Sequence, residues 1–245
     1  MIHERLTITD ADQLHALLRK GALFRDCKLD DAELANLDAE EMEFEDCSLK
    51  RVDFLELACE SLRIVDSNLE NACFERADLH EAEFLNSICT SSNFRGAKLN
   101  RSRMVNCDLS LSEFEGANLF GGALTGSRLR GVDLTQTRLD AVEVAGVDFS
   151  MAALRYKDFK NQKLVRVNFT EADLTGCDFT GAVFEECHIN EATVNKETRL
   201  DGSDLRGANI SGSQIGNASL KGAIMSTAQA HHLIFERYGI IIADG

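Results

Sequence analysis

The sequence contains no proline and no tryptophan. Proline removes a backbone N–H and breaks hydrogen-bonded ladders, and an indole is too bulky for a narrow coil. A chain without either suits continuous, tightly wound backbone pairing. No apolar run is long enough to suggest a membrane span. Glu4, Arg5, Asp10 and Asp12 interrupt the stretch where a signal peptide would lie, so a cytoplasmic protein is expected. Glycine-rich phosphate loops, HExxH pairs and nucleophile motifs are also missing, which argues against an enzyme. No cofactor or metal is expected. His231 and His232 are adjacent, so on a helix they diverge, and no third ligand accompanies them.

Cations are in short supply. Lys and Arg number 26 against 41 Asp and Glu, a net charge of −15. The deficit is uneven: residues 1–90 hold 22 acidic and 9 basic groups, while residues 91–245 hold 19 and 17. Such a surface repels nucleic acid and suits a cationic protein partner. The cysteines, though eight in number, do not read as a disulfide framework. Cys27, Cys47, Cys107, Cys177 and Cys187 fall at one repeating small position, Cys59 and Cys89 at a repeating large one, and only Cys73 outside both. Buried Cys acts as a small hydrophobe, and stacked Cys27 and Cys47 would point in parallel, a poor bridging geometry.

What the sequence has in abundance is a period of five. From Phe24 to Val194 every fifth residue is large and apolar at 32 of 35 sites, the exceptions being Ala39, Cys59 and Cys89. Two positions earlier, 29 of the 35 residues are small. Neither the 3.6-residue helix nor the two-residue strand fits this period. If both sites point inward, each pentapeptide is a short extended piece and a turn, and such pieces close only by coiling into a stacked solenoid. The units Ala77-Asp78-Leu79, Ala117-Asn118-Leu119, Ala172-Asp173-Leu174 and Ala208-Asn209-Ile210 resemble the A(D/N)LXX motif of the pentapeptide-repeat family. That resemblance covers about residues 22–224. It implies an all-β fold, a right-handed quadrilateral parallel β-helix of about ten coils with four pentapeptides per coil. Residues 20 apart should then stack, placing Phe54, Phe74, Phe94 and Phe114 in one column.

Three segments follow along the chain. Residues 1–21 are expected to cap the solenoid with a helix over Asp10–Lys20, begun by Asp10 and Gln13 and stopped at Gly21. Residues 22–224 form the solenoid. Residues 225–245 read as a helix over Thr227–Gly239 and a short strand over Ile240–Ile242. Three features could carry function. The first is an acidic stretch with Asp38, Glu40, Glu41, Glu43, Glu45 and Asp46. The second joins two irregularities expected on one side: a basic segment over 155–166 with Lys157, Lys160 and Lys163, and a one-residue insertion with Lys196 and Arg199. Lys157 and Gln162 occupy small inward sites, so a backbone bulge carrying Lys157 to solvent is expected. The third is an apolar terminal group, Leu233, Ile234, Phe235, Tyr238, Ile240, Ile241 and Ile242, too large for a plain cap and suited to a homodimer.

The terminal sequence Gln229–Ile240 and the preceding Asp204–Ile210 resemble the quinolone-resistance (Qnr-type) and mycobacterial fluoroquinolone-resistance members of that family. The resemblance implies a dimer through this segment and mimicry of duplex DNA on DNA gyrase, with carboxylates in place of phosphates. It departs from them in showing no long projecting loops and in concentrating acidity near the N-terminus. The alternative is a scaffold or adaptor that docks proteins through the two irregular segments.

Overall fold

The computed structural model describes residues 2–7, 14, 17, 18 and 22–243, without the side chains of Glu40 and Glu60. It is a parallel β-solenoid of about ten turns with one C-terminal helix. The chain forms two compact units, residues 1–147 and 148–245.

Each pentapeptide builds one quarter of a coil in the same way. In Ala77–Glu81, Ala77 and Leu79 point inward and are fully buried. Between them Asp78 N–H donates to Leu57 O at 2.7 Å, and Leu79 N–H donates to Lys98 O at 2.9 Å. Glu81 turns the corner at φ 59°, and Ala82 N–H closes the turn on Leu79 O at 3.2 Å. A left-handed corner is costly for most side chains, by about 1–2 kcal/mol per residue. Here the ladder on both sides fixes it, even at Leu111, Met151 and Tyr156.

In the first unit, β1 (Ile2–Glu4), β2 (Ala22–Arg25), β3 (Asp38–Glu45), β4 (Ala58–Val65), β5 (Glu83–Leu85) and β6 (Arg103–Val105) form one parallel sheet in that order. β3 and β4 are each eight residues long and pass straight through the corner after Ala39 and Cys59, where the large inward site shrinks. In the second unit β7 (Lys163–Val165) pairs with β8 (Val183–Glu185), and β9 (Cys187–His188) with β10 (Ala208–Asn209). The expected phenylalanine column is present: successive rings of Phe54, Phe74, Phe94 and Phe114 stack at 4.7, 4.9 and 5.0 Å. All eight cysteines are free and only Cys73 is not buried.

The helix expected over Asp10–Lys20 lies outside the described residues, apart from Leu14, Leu17 and Leu18. The C-terminal helix, α1 (Thr227–Tyr238), starts at a capping box of Ser226 and Gln229 and stops at left-handed Gly239. Ile240–Ile242 is not a strand, contrary to expectation. Among the described residues it has no ladder partner.

Candidate functional site

The acidic stretch 38–46 lies along β3, where ladder register sets each charge beside another. Glu43 stands next to Arg63 on β4, and Arg63 stands next to Glu83 on β5. Arg63 forms an ion pair with Glu43 and donates to Glu83 at 3.3 Å, and Arg103 donates to Glu83 at 2.7 Å. Glu45 accepts from Arg25 at 2.7 Å. This column therefore alternates in sign, and two of the six predicted carboxylates are internally neutralised. Asp38, Glu41 and Asp46 are exposed and have no ion pair among the described residues.

The basic segment keeps the ordinary repeat rather than bulging. Lys157 N–H donates to Leu154 O at 3.2 Å, and Gln162 N–H to Phe159 O at 3.2 Å, the usual corner bonds. The side chains of Lys157 and Gln162 are half-buried. A long side chain can bury its stem and keep its head in water, so the backbone needs no distortion. The insertion at Asn195–Arg199 is real: Phe179 N–H donates to Arg199 O and Gly181 N–H to Asp201 O, each 20 residues on, whereas Leu174 N–H before them reaches Thr193 O, 19 on. Thr198 fills the small inward site, fully buried, donating to Leu174 O at 3.0 Å and accepting from Gly176 N at 3.1 Å.

The two irregular segments share a face, as Asp158, Asp178 and Arg199 are successive bridge partners. Tyr156, not singled out from sequence, joins them. A Cβ on Gly176 would fall 2.4 Å from the Tyr156 ring, so the ring lies over the bare corner between the segments. Its hydroxyl donates to Glu197 at 3.2 Å while the side chain stays 68% exposed. The available signal was an aromatic at a corner site where glycine is common. Lys160 and Arg199 approach Asp178 at 3.2 and 3.6 Å. Partial burial pushes the Asp178 carboxyl up, but bonds from Thr180 and Lys160 outweigh it and hold the group below its ordinary value. Lys163 pairs with Glu185 at 3.0 Å, whereas Lys196 is exposed and has no ion pair among the described residues.

At the C-terminus the predicted apolar group divides. Leu233 lies against Gly216 of the last coil and Arg237 donates to Gly216 O, while Gln229 donates to Leu205 O and Ala208 O, each at 2.7 Å. These contacts seat the helix. Leu233 and Ile234 are half-buried, but Phe235, Tyr238, Ile240, Ile241 and Ile242 face solvent. Among the described residues no cluster of metal-ligating side chains occurs, and no helix is long and apolar enough to cross a membrane.

The family model described as pentapeptide repeats matches in eight copies, over residues 64–101, 87–122, 158–190 and 196–226. No curated protein matches the chain. Among solved structures, HetL, a pentapeptide-repeat protein involved in heterocyst differentiation regulation in the cyanobacterium Nostoc, is 22% identical, with TM-score 0.60. The match covers 89% of this chain and 97% of HetL, and it concerns the fold. A trypsin-treated form of QnrB1, a plasmid-mediated fluoroquinolone resistance protein, is 19% identical over all of both chains, with TM-score 0.44. No catalytic family is indicated. With repeat copies matched across about half of its length and the five-residue ladder traced through both units, the chain belongs to the pentapeptide-repeat family.

Proposed function

We propose that this is a non-enzymatic, cytoplasmic binding protein whose acidic surface engages a cationic protein, and that the partner is the DNA-binding surface of DNA gyrase. The observation that carries the reading is that Asp38, Glu41 and Asp46 are exposed carboxylates with no ion pair among the described residues. Such groups can occupy the places that DNA phosphates take on a basic saddle, using the same long-range attraction. The likeness of Gln229–Ile240 to the Qnr-type terminus is what singles out gyrase.

The active form is a homodimer joined through α1 and Ile240–Ile242. Phe235, Tyr238 and Ile241 are 55%, 65% and 81% exposed. Fully burying one such side chain contributes about 1.5–3 kcal/mol, which a second copy would supply several times over. The test is gyrase supercoiling titrated with purified protein, with and without a fluoroquinolone. Inhibition, or rescue from the drug, is expected. No effect on either of two bacterial gyrases would reject this partner.

One observation favours a second reading, a scaffold docking through the second unit. Tyr156 is exposed yet anchored at both ring and hydroxyl, which lowers the entropy cost of contact. Lys157 follows it in the chain, Lys196 precedes its partner Glu197, and Lys160 lies on the same face beside Asp178. A partner captured by the protein and lost on Tyr156→Ala, with gyrase unaffected, would favour the scaffold.

A further inference from the structure

The C-terminal end of the second unit is left unfinished by its own chain. Helix α1 sits on the last coil through polar bonds, from Gln229 to Leu205 O and Ala208 O and from Arg237 to Gly216 O, yet none of its residues is buried. A helix is held to a fold mainly by a buried apolar stripe, so this seat covers only part of what α1 presents. Past the left-handed stop at Gly239, Ile240–Ile242 is exposed and has no ladder partner among the described residues. Three β-branched residues in a row favour an extended strand, and a strand needs an edge to pair with.

Such an edge lies at the foot of the helix, on the outer rim of the last coil. Gly202 N–H still donates to Lys221 O on the coil that follows, but no further coil reaches Ile210 and Gly212, whose N–H groups have no bond among the described residues. The rim at Gly212–Gln214 and the end of α1 enclose a groove of about 330 Å³, lined also by Gly216, Leu233 and Arg237. Charge bears on what can fill it. The whole chain carries −15, but residues 205–243 hold three basic groups, Arg206, Lys221 and Arg237, against one acidic group, Glu236. Glu236 is itself beside His232 at 3.0 Å. Two copies that met through their first units would oppose acidic surfaces, whereas at this end that repulsion is absent.

We propose that Ile240–Ile242 of a second copy enters this groove and extends the rim as an added strand, and that the exchange is reciprocal. This rests on the reading of the protein as a homodimer and specifies how the chains join, tail into groove and not helix against helix alone. Under two-fold symmetry each chain gives one tail and receives one, so both rims close together. Carbonyls of the incoming tail accept from Ile210 and Gly212 N–H, the main-chain bonding by which a strand adds to an open edge. Its isoleucines pack against Leu233, and neither groove is complete without the other chain.

The test uses the full chain with Cys73→Ser, which removes the one cysteine that is not buried. One preparation carries Gln214→Cys and another Ile241→Cys; the two are mixed, left to exchange chains and oxidised with diamide. A covalent dimer should form in the mixture and be lost when either preparation is oxidised alone. A chain carrying both substitutions should give covalent dimers and no internal loop. Ile241→Asp should reduce the light-scattering mass from two chains to one while the far-UV circular dichroism of the solenoid stays unchanged. An internal loop in the doubly substituted chain would mean that each groove takes its own tail, and would overturn the exchange. A parent chain that scatters as a dimer yet gives no mixed cross-link would also overturn it and leave the homodimer reading intact. A parent chain that scatters as a monomer would overturn both.

Discussion

Phe74→Ala probes the interior that holds the coils in register. The ring is fully buried between Phe54 at 4.7 Å and Phe94 at 4.9 Å, and its edge meets Phe84 at 5.5 Å. Truncating a buried Phe costs about 3–5 kcal/mol in transfer and cavity terms. Each aromatic pair adds about 0.5–1.5 kcal/mol beyond area. Three such contacts put Phe74→Ala at the upper end, about 5 kcal/mol. Phe74→Leu keeps most of the volume and should cost about 1.5 kcal/mol. By comparison, Arg63→Met removes two half-exposed ion pairs worth about 0.2–1 kcal/mol each, an effect that salt should erase. Urea unfolding followed by far-UV circular dichroism separates the three. A loss below about 1 kcal/mol for Phe74→Ala, or a larger loss for Arg63→Met, would refute a fold governed by its inner column.

Other outcomes follow from the same geometry. Gly176→Ala should cost about 1–2 kcal/mol, from its left-handed backbone and the displaced Tyr156 ring, and should alter tyrosine fluorescence; an unchanged melting temperature and spectrum would contradict the contact. Burial pushes the Cys47 and Cys59 thiols up to about 11 and Cys177 up to about 12. Cys73 alone is not buried, so at pH 8 it should react first with a thiol reagent although partial burial raises its thiol too, and rapid labelling of several sites would argue against a closed interior. Bonds from Arg51 to Asp31, from Ser219 to Asp201 and from Arg206 to Asp204 hold those carboxyls below their ordinary value. Their contribution is present above the unfolded pKa and lost as pH falls through the lower folded value, so stability should drop below about pH 4 and not between pH 5 and 7. Phe235→Asp should yield monomers by light scattering, and an unchanged mass would reject the proposed interface.

The architecture was legible because each pentapeptide meets the same local demands. A small residue at Ala77 and a large one at Leu79 leave a single way to close a coil, and stacking then follows by count. The insertion at Asn195–Arg199 could likewise be read from the shift between Val194 and Leu200. Charge was harder to read. Residues 38–46 look uniformly acidic along the chain, but neighbours in space are 20 apart, which brings Arg63 to Glu43 and Arg25 to Glu45. Lys157 misled in another way: its identity suggested a bulge, whereas its length allows the ordinary corner to persist. Tyr156 was overlooked because its meaning depends on Gly176 and Glu197, about one and two coils further on.

The proposed role places exposed carboxylates where DNA would lie on a basic protein surface. Its most direct test is competition: labelled duplex DNA bound to gyrase, displaced by rising concentrations of this protein. Competitive displacement is expected, weakening steeply with salt and disappearing when Asp38, Glu41 and Asp46 are changed to their amides. Binding that leaves DNA in place, or displacement unaffected by those changes and by salt, would contradict it.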